Sequence, residues 1–360
     1  MCSSVIQKFN QITVKWVMYM RPENIFLKNK DRIIFNEKCM VYLMGATRDV
    51  VSTSPLNGGS SQHLNAIFNF DETPKDGGWC QMKAKTYKEH LAIIAGEISL
   101  DPYTTTALST TVDIDNTVVL KELYHGHEIV VICTAGLDIN ATRAGEPAGY
   151  DEWITEPDIH KGTVNIICSC DVSLPAGSLS RMILTVTEAK TAAIQELMVG
   201  SCFSDGLATG SGTDGVVVIS NPHSNVELTN VGAHSKLGEI ISQLTKNAVK
   251  SALYKQTGLD ELRQRDVFER LKRFDINGTM LSIDEKTCKD ETQVAIVSMI
   301  VHLLDQMSWG VLNPEGVINA SQKVLGQELE ISDVDKLCSS KVRERVLRGV
   351  VQYLVELETQ

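Results

Sequence analysis

The sequence of 360 residues lacks the features that mark membrane-spanning, nucleic-acid-binding and secreted proteins. Its longest apolar helical stretch, Val294 to Met307, is interrupted by His302 and Asp305 and is shorter than the roughly 20 residues that cross a bilayer. The first twenty residues contain Lys8 and Lys15 but no apolar core of signal-peptide length. The net charge of -11 provides no uniform basic field, so no nucleic-acid partner and no membrane association are expected.

The cysteines follow no disulfide or zinc pattern. There are 9 of them, an odd number, and none forms a C-x-x-C pair. A small secreted scaffold uses an even, closely spaced set, so reduced thiols and a cytoplasmic location are expected. Apolar residues make up 43% and charged residues 22% of the chain, which suits an ordinary folded core and excludes a disordered or collagen-like protein.

The length predicts about two domains of roughly 150 residues each, and the residue patterns differ between the two ends of the chain. The β-branched runs that predict strands all lie in the first part: Arg32 to Met44, Asp49 to Thr53, Ile129 to Cys133, Val164 to Val172 and Val216 to Ser220. Beyond about Arg263, helical spacing dominates. The sequence therefore predicts a mixed α/β (α+β) fold, with a sheet-and-helix domain over residues 1–262 and a helical C-terminal module over 263–360.

Two helices carry candidate functional residues. In the helix predicted over Leu179 to Val199, Lys190 lies within the apolar stripe and Glu188 projects from the opposite, polar face. Lys190 is either a snorkelling side chain or a buried ammonium that pairs with an anion, whereas Glu188 is by default a solvated charge. A second helix is predicted to begin at His234 to Glu239, capped by Ser235 or His234.

His234 is a candidate general base. The positive end of the helix dipole favours its neutral imidazole, which is the form that accepts a proton near pH 7. A simple capping role is the alternative interpretation.

The segment Gly210 to Gly215 spells G-x-G-x-x-G but runs into a strand rather than a helix, which argues against dinucleotide binding. It is either an ordinary turn or a loop whose N–H groups hold an anion or oxyanion. His125 with His127, and Cys168 with Cys170, lack a clear third metal ligand. Asp275 to Gly278 lacks the glycine position of an EF-hand, so a calcium site is rejected there.

An ordered set of short motifs resembles the adenosylcobinamide amidohydrolases of corrinoid salvage, which occur in archaea and some bacteria. The resemblance covers about residues 45–260. Its motifs are Leu56-Asn-Gly-Gly59, Thr134-Ala-Gly136, Arg143-Ala-Gly145, Gly162-Thr-Val-Asn-Ile166, Thr187-Glu-Ala-Lys-Thr-Ala-Ala193, Ala208-Thr-Gly-Ser-Gly-Thr-Asp214 and Gly232-Ala-His-Ser-Lys-Leu-Gly-Glu239.

The resemblance implies hydrolysis of the amide that joins a corrin propionate to aminopropanol, giving adenosylcobyric acid and 1-amino-2-propanol. It implies an adenosylated corrinoid as substrate and no protein-bound cofactor, since the cobalt belongs to the corrinoid. For catalysis we expect His234, Asp214, Thr213 and Lys190, with Asp214 orienting His234. The expected substrate-binding residues are Asn57, Gly58, Gly59, Asn140, Arg143, Glu188, Thr209, Gly210, Ser211, Gly212, Ser235 and Lys236.

The nucleophile stays open between three alternatives. Amide hydrolysis requires an attacking group, oxyanion donors and an acid for the departing amine. The attacking group is an activated water, a hydroxyl of Thr209, Ser211 or Thr213, or a threonine released by internal cleavage at Gly162-Thr163. Water or a loop hydroxyl is the favoured expectation.

Three other functions fit the same sequence. One is a corrinoid carrier or sensor without hydrolysis, and another is a metal-dependent amidohydrolase that uses His125, His127 and a carboxylate. The third is an amidohydrolase of complete cobamides such as pseudocobalamin. The amphipathic helices after Arg263 either pack within the chain, which is the default, or form a homodimer contact.

Overall fold

The computed structural model describes residues 17–18, 24–74, 80–148, 151, 153, 162–276, 283–332 and 335–358. They form two compact units. The first includes the chain up to Phe203 and Leu207–Leu259, and the second includes Ser204–Gly206 and the chain from Asp260 onward. The predicted mixed α/β class with C-terminal helices is confirmed. The calcium loop that the sequence rejects lies partly outside the described residues, at 277–278.

A seven-stranded sheet is the centre of the first unit. From one edge to the other its strands are β1 (Val17–Met18), β9 (Val118–Tyr124), β10 (His127–Ala135), β12 (Val164–Cys170), β14 (Gly215–Ser220), β5 (Asp49–Ser52) and β6 (Gly59–Ser61). The neighbours β12 and β14 are parallel, so both begin at the same edge of the sheet. The other neighbouring pairs are antiparallel.

A five-stranded sheet packs against one face of the first. Its strands in order are β2 (Asn24–Phe26), β3 (Arg32–Phe35), β4 (Cys39–Leu43), β7 (Ala66–Asp71) and β8 (Thr105–Thr110). The single strand predicted over Arg32 to Met44 is wrong, because the chain turns back between β3 and β4. The turn is closed by the Asn36 amide, which donates to the Cys39 carbonyl at 2.8 Å.

Three helices complete the first unit as a four-layer sandwich. They are α1 (Tyr87–Glu97), α2 (Ala176–Glu196) and α3 (Lys236–Thr257). Helices α2 and α3 cover the outer face of the seven-stranded sheet, where Met182 and Leu244 pack with Ile166. The two sheets share a second core, and α1 packs on the outer face of the five-stranded sheet. Alternate strand residues therefore face different layers, as the two-residue period of a strand requires.

Helix α3 begins where its sequence predicts. The Ser235 hydroxyl accepts from the Gly238 amide at 3.0 Å and caps the first turn. Gly258 ends the helix in the left-handed conformation, at φ 69°, where the absence of a Cβ avoids strain. The side chain of His234 makes no capping bond, so of the two expected caps the structure uses Ser235.

The second unit is helical and has its own core. Its helices are α4 (Val267–Leu271), α5 (Glu285–Cys288), α6 (Glu291–Ser308), α7 (Pro314–Leu325) and α8 (Ser339–Glu358). Val297, Val317 and Val346 are fully buried in that core. A buried bidentate ion pair joins Arg273 to Asp305, with both N–O distances 2.7 Å. No helix of the described residues is long and apolar enough to cross a bilayer.

Candidate active site

The candidate site lies at the sheet edge where the parallel strands β12 and β14 begin. Asn165 is paired with Gly215 in their register. Two residues before this pair, Thr163 donates through its hydroxyl to the Thr213 carbonyl at 3.0 Å, and the two threonine hydroxyls are in direct contact. Thr163 is buried at 3% exposure, whereas Thr213 is exposed. The strand register thus brings together two hydroxyls that are 50 residues apart in the chain.

A short antiparallel ribbon adds Asn140 to this edge. The ribbon consists of β11 (Ala141–Thr142) and β13 (Gly210–Ser211), in which Ala141 is paired with Ser211. This register places Asn140 beside Gly212, where a Cβ would lie 3.2 Å from the Asn140 amide oxygen. The glycine therefore permits the close approach of the loop to Asn140.

Two side chains donate to one main-chain oxygen at the site. The Gly162 carbonyl accepts from Asn140 Nδ2 at 2.8 Å and from the Thr213 hydroxyl at 3.1 Å. Asn140 is 1% exposed, so its amide is fixed within the fold. Two fixed donors that converge on a carbonyl oxygen are the arrangement that stabilises the oxyanion of a tetrahedral intermediate.

Asp214 is held in an ion pair with Lys190 of α2. The Lys190 ammonium contacts Asp214 Oδ2, and the two side chains are only 8% and 15% exposed. Asp214 Oδ1 also accepts from the Ser211 amide at 3.0 Å, the Ser211 hydroxyl at 2.6 Å and the Val164 amide at 3.1 Å. Of the two interpretations of Lys190, the structure shows the buried ammonium that pairs with an anion, and the anion is the Asp214 carboxylate. The pair fixes the loop to both α2 and the start of β12.

The ion pair lies close to a buried thiol. Burial raises the pKa of Cys133, and the negative charge of Asp214 raises it further, while Lys190 acts in the opposite direction. The thiol therefore stays protonated at neutral pH. Gly210 is adjacent to both charged groups, and a Cβ at this position would collide with Asp214 Oδ2 and Lys190 Nζ.

Other predicted binding residues brace the loop from outside. The Thr209 hydroxyl accepts from the Ala144 amide at 2.9 Å, and Arg143 donates to the Leu207 carbonyl at 3.0 Å. Thr209 and Ser211 are half-buried, and Gly212 is exposed. These contacts attach the loop from Leu207 to Asp214 to the segment that follows β11.

The structure does not bring His234 to Asp214. At its C-terminal end α3 lies beside the site: Gln256 Cγ is 3.6 Å from where a Cβ of Gly136 would lie, and the Gly136 amide donates to the Thr163 carbonyl at 3.0 Å. His234 precedes the other end of this 22-residue helix, which is about 33 Å long at 1.5 Å per residue. The expected orientation of His234 by Asp214 is therefore corrected: the carboxylate pairs with Lys190.

Ser235 and Lys236 lie at the distant end with His234. Ser235 caps α3, and exposed Lys236 forms an ion pair with Glu239 at 2.8 Å. Glu188 is exposed on α2, whereas Lys190 is buried. These two residues of the same motif thus lie on different faces of the helix, as their spacing predicts.

Asn57 has a bracing role that differs from that of Asn140. Its side-chain amide donates to the carbonyls of Pro102 at 2.7 Å and Thr105 at 2.8 Å. The Asn57 amide is thus bonded to two main-chain carbonyls outside the candidate site. Gly58 lies against the Ser54 carbonyl, and Gly59 has a φ of 85°.

The two histidines considered as metal ligands are engaged in other contacts, and the cysteine considered with Cys170 is buried. His127 Nδ1 lies 2.7 Å from the Asp171 carbonyl oxygen, and the His125 ring packs edge-on against Tyr124. Burial raises the pKa of Cys168. Within the part of the chain that the structure describes, no group of three or more His, Cys, Asp or Glu residues is placed to hold a metal.

The sequence did not point to Thr111, which connects the five-stranded sheet to the candidate site. The Thr111 hydroxyl, just after β8, accepts from the Gly162 amide at 2.7 Å. The two residues are 51 positions apart, and Thr111 belongs to none of the family motifs quoted above. Only the packing of one sheet on the other brings them together.

Comparison with known proteins supports the motif resemblance. A sequence model of the family described as adenosylcobinamide amidohydrolase matches residues 25–261. The chain is 38% identical over 186 residues to the uncharacterized protein MJ1613 of Methanocaldococcus jannaschii, an alignment that covers 48% of this chain and 72% of that protein. The crystal structure of the PH0078 protein from Pyrococcus horikoshii OT3 aligns at 12% identity over 69% of this chain and 83% of that chain. Its TM-score of 0.29 is too low to indicate a shared fold.

Proposed function

The chain belongs to the adenosylcobinamide amidohydrolase family, and on this basis we propose that it hydrolyses the aminopropanol amide of adenosylcobinamide. The products are adenosylcobyric acid and 1-amino-2-propanol. The reaction breaks one carbon–nitrogen bond and adds one water. Cobalt enters as part of the substrate.

The observation that carries the proposal is the pair of donors on the Gly162 carbonyl. Asn140 Nδ2 and the Thr213 hydroxyl converge on this oxygen at 2.8 and 3.1 Å. An amide carbonyl of the substrate that takes the place of the Gly162 oxygen would receive both hydrogen bonds as its own oxygen becomes negative. Removal of one such donor typically costs a hydrolase about 10²–10³-fold in kcat.

Lys190 and Asp214 support the site as positioning residues. Asp214 accepts three bonds from Ser211 and Val164 and pairs with Lys190, so its oxygens are engaged by the fold. The ion pair therefore sets the position of Thr213, the residue immediately before Asp214 in the chain. His234 has no place in this mechanism because it lies at the far end of α3.

Two exposed apolar side chains, one in the segment of Asn140 and one in the segment hydrogen-bonded to it, suit a large corrinoid. Ile139 is 58% exposed and Phe203 is 52% exposed. Their segments are joined by the Cys202 amide, which donates to the Ala141 carbonyl at 2.8 Å. The apolar rim of a corrin ring is a matching surface, and exposed apolar patches commonly mark ligand sites. We assign these two side chains to ring contact.

The test is incubation of the purified protein with adenosylcobinamide, with and without EDTA, followed by mass spectrometry of the products. Adenosylcobyric acid and aminopropanol in both samples would support the proposal. Product only in the sample without EDTA would assign the chemistry to a bound metal. An unchanged corrinoid that remains bound to the protein would favour the carrier alternative and overturn the hydrolase.

A paired variant tests the rim. Phe203→Ser should raise KM for adenosylcobinamide while kcat changes little, because the side chain contacts the ring and not the reacting amide. Exposed Tyr103 gives a matched control, since it is 87% exposed and is not part of this rim. Tyr103→Ser should leave KM unchanged.

A further inference from the structure

The proposed reaction requires a nucleophile, and most hydroxyls of the loop are already engaged. Thr209 accepts from the Ala144 amide, and Ser211 donates to Asp214. Thr213 donates to the Gly162 carbonyl and would be the oxyanion donor. Thr163 also donates to the Thr213 carbonyl, at 3.0 Å, but it differs from the other hydroxyls in one respect: its own preceding peptide carbonyl is the one that the two donors hold.

The geometry around the Gly162–Thr163 peptide bond indicates that this bond itself reacts. We propose that the protein cleaves its own Gly162–Thr163 bond, and that Thr163, with its freed α-amino group, is the nucleophile of the amidohydrolase. The role of Thr163 toward the substrate rests on the proposed function. The cleavage itself rests on the geometry of the chain.

The first support is the double hydrogen bond to the Gly162 oxygen. Asn140 and Thr213 both donate to it, which polarises the carbonyl and would stabilise the oxyanion formed when a nucleophile adds to its carbon. An ordinary peptide carbonyl at a strand end needs only one partner. Here two side chains from separate segments converge on it.

The second support is the fixed and unusual backbone of Gly162. Its φ is 96°, a conformation that residues with a side chain rarely adopt. A Cβ would lie 3.0 Å from the Gly136 carbonyl oxygen and 3.3 Å from Asn140 Cβ. The bond is also held on both sides, because Thr111 accepts from the Gly162 amide and Gly136 donates to the Thr163 carbonyl. The peptide is therefore held in place from both sides, and the missing Cβ of Gly162 leaves room for the close approach of Asn140.

The third support is the surroundings of the Thr163 side chain. Thr163 is two residues before Asn165, so the two side chains lie on the same side of the seven-stranded sheet. The Asn165 side-chain amide donates to the Ser109 carbonyl of β8 at 2.7 Å, which shows that this side faces the five-stranded sheet. The Thr163 hydroxyl contacts that of Thr213 and is buried at the edge. The adjacent Val164 amide donates to Asp214, which keeps this end of the strand in place.

The cleavage balances as an acyl shift followed by hydrolysis. Thr163 Oγ1 adds to the Gly162 carbonyl carbon, the carbon–nitrogen bond breaks, and the hydroxyl proton passes to the released nitrogen. The result is an ester between Gly162 and the Thr163 side chain. Water then hydrolyses this ester, which leaves a Gly162 carboxylate, the restored hydroxyl and a free α-amino group on Thr163.

The mature site would then act on the substrate amide. An α-amino group has an ordinary pKa of about 7.7–8.0, so it is a suitable base for its own hydroxyl near neutral pH. Thr163 Oγ1 would add to the substrate carbonyl, and the amine would pass the hydroxyl proton to the departing aminopropanol nitrogen. Asn140 and Thr213, released from the Gly162 carbonyl, would hold the oxyanion. Water would hydrolyse the resulting ester.

The test is the intact mass of the purified full-length chain, with N-terminal sequencing. We expect two fragments, 1–162 and 163–360, whose summed mass exceeds that of the chain by one water. The Gly212–Thr213 bond has the same residue types and should remain intact. Thr163→Ala should give a single, inactive chain, whereas Thr163→Ser should still cleave. Thr245→Ala, which removes a buried hydroxyl from α3, is the matched control and should cleave normally.

The outcomes separate this inference from the proposed function. An uncleaved chain that hydrolyses adenosylcobinamide would overturn the inference and leave the function intact. Cleavage of Thr163→Ala at the same bond would indicate a foreign protease and would also overturn it. Cleavage that requires Thr163, without hydrolysis of adenosylcobinamide, would support self-processing and overturn the proposed function.

Discussion

At the scale of single residues, two asparagines with the same side chain have different tasks. The Asn57 side-chain amide donates to the carbonyls of Pro102 and Thr105. Asn140 directs its amide to the Gly162 carbonyl and to the Thr213 hydroxyl, inside the candidate site. The side-chain chemistry is identical, so the surrounding backbone alone decides which one can serve a substrate.

Asn140→Ala should therefore lower kcat for adenosylcobinamide by about 10²–10³-fold, because one oxyanion donor is lost. KM should change little. Steady-state kinetics with the folded state checked by circular dichroism is the measurement. Asn57→Ala is the matched control and should mainly lower the unfolding midpoint in urea. A similar kcat loss in both variants would contradict the assignment.

The cysteines also differ at this scale. A hydrogen bond with the Ser340 hydroxyl, at 3.1 Å, and the nearby backbone lower the pKa of exposed Cys338, while burial raises the pKa of Cys39 to about 12. Thiolate is the reactive form. Below the ordinary thiol pKa, Cys338 therefore has the larger thiolate fraction and should be alkylated first.

Peptide mass spectrometry after brief N-ethylmaleimide treatment at neutral pH measures this order. Cys338 should react faster than the exposed Cys202, and Ser340→Ala should slow it. Modification of Cys39 before Cys338 in the native protein would contradict the structure.

At the scale of elements, α2 and the loop before β14 depend on one ion pair. Lys190 sits in the apolar stripe of the helix and Asp214 at the end of the loop. Removal of one partner of a buried pair leaves an uncompensated charge, whereas a matched neutral pair avoids this cost. The ion pair thus positions the loop against α2. The effects of substituting Lys190 and Asp214 on the free energy of unfolding should therefore be strongly coupled.

Lys190→Met or Asp214→Asn should each lower the free energy of unfolding by about 3 kcal/mol. The double variant should recover a large part of that loss. Urea denaturation of the four proteins gives the coupling energy. Additive losses would show that the ion pair does not act as a unit.

At the scale of the whole molecule, the described residues form two units with separate hydrophobic cores. Chains of this kind commonly depart from two-state unfolding. The buried pair Arg273–Asp305 belongs to the helical unit, with side chains only 4% and 6% exposed. A substitution in this ion pair should therefore destabilise the helical unit and leave the other unit unchanged.

Asp305→Asn should reduce hydrogen-exchange protection in α6 and α8 while β12 and α2 keep theirs, because Arg273 is left buried without its anion. The control is Glu285→Gln, which breaks an exposed pair with Lys289 in the same unit and should change little. Equal loss of protection in both units after Asp305→Asn would contradict independent cores.

The sequence by itself determined the local features of this protein. The period of the apolar residues located α2 and placed Lys190 on its buried face and Glu188 on its exposed one. Ser235 and Gly258 bounded α3 because cap chemistry is local. The ordered motifs identified the family because they are a property of the chain and not of its packing.

Tertiary structure decided which of these residues meet. The parallel register of β12 and β14 joins Thr163 to Thr213, and sheet packing brings Thr111 to Gly162. Strand β14 carries the chain from Asp214 across the sheet, so His234 lies far from Asp214 although the two are close in sequence. Contacts across strands depend on register and on layers, which residues far apart in the chain settle together, and no local pattern encodes them.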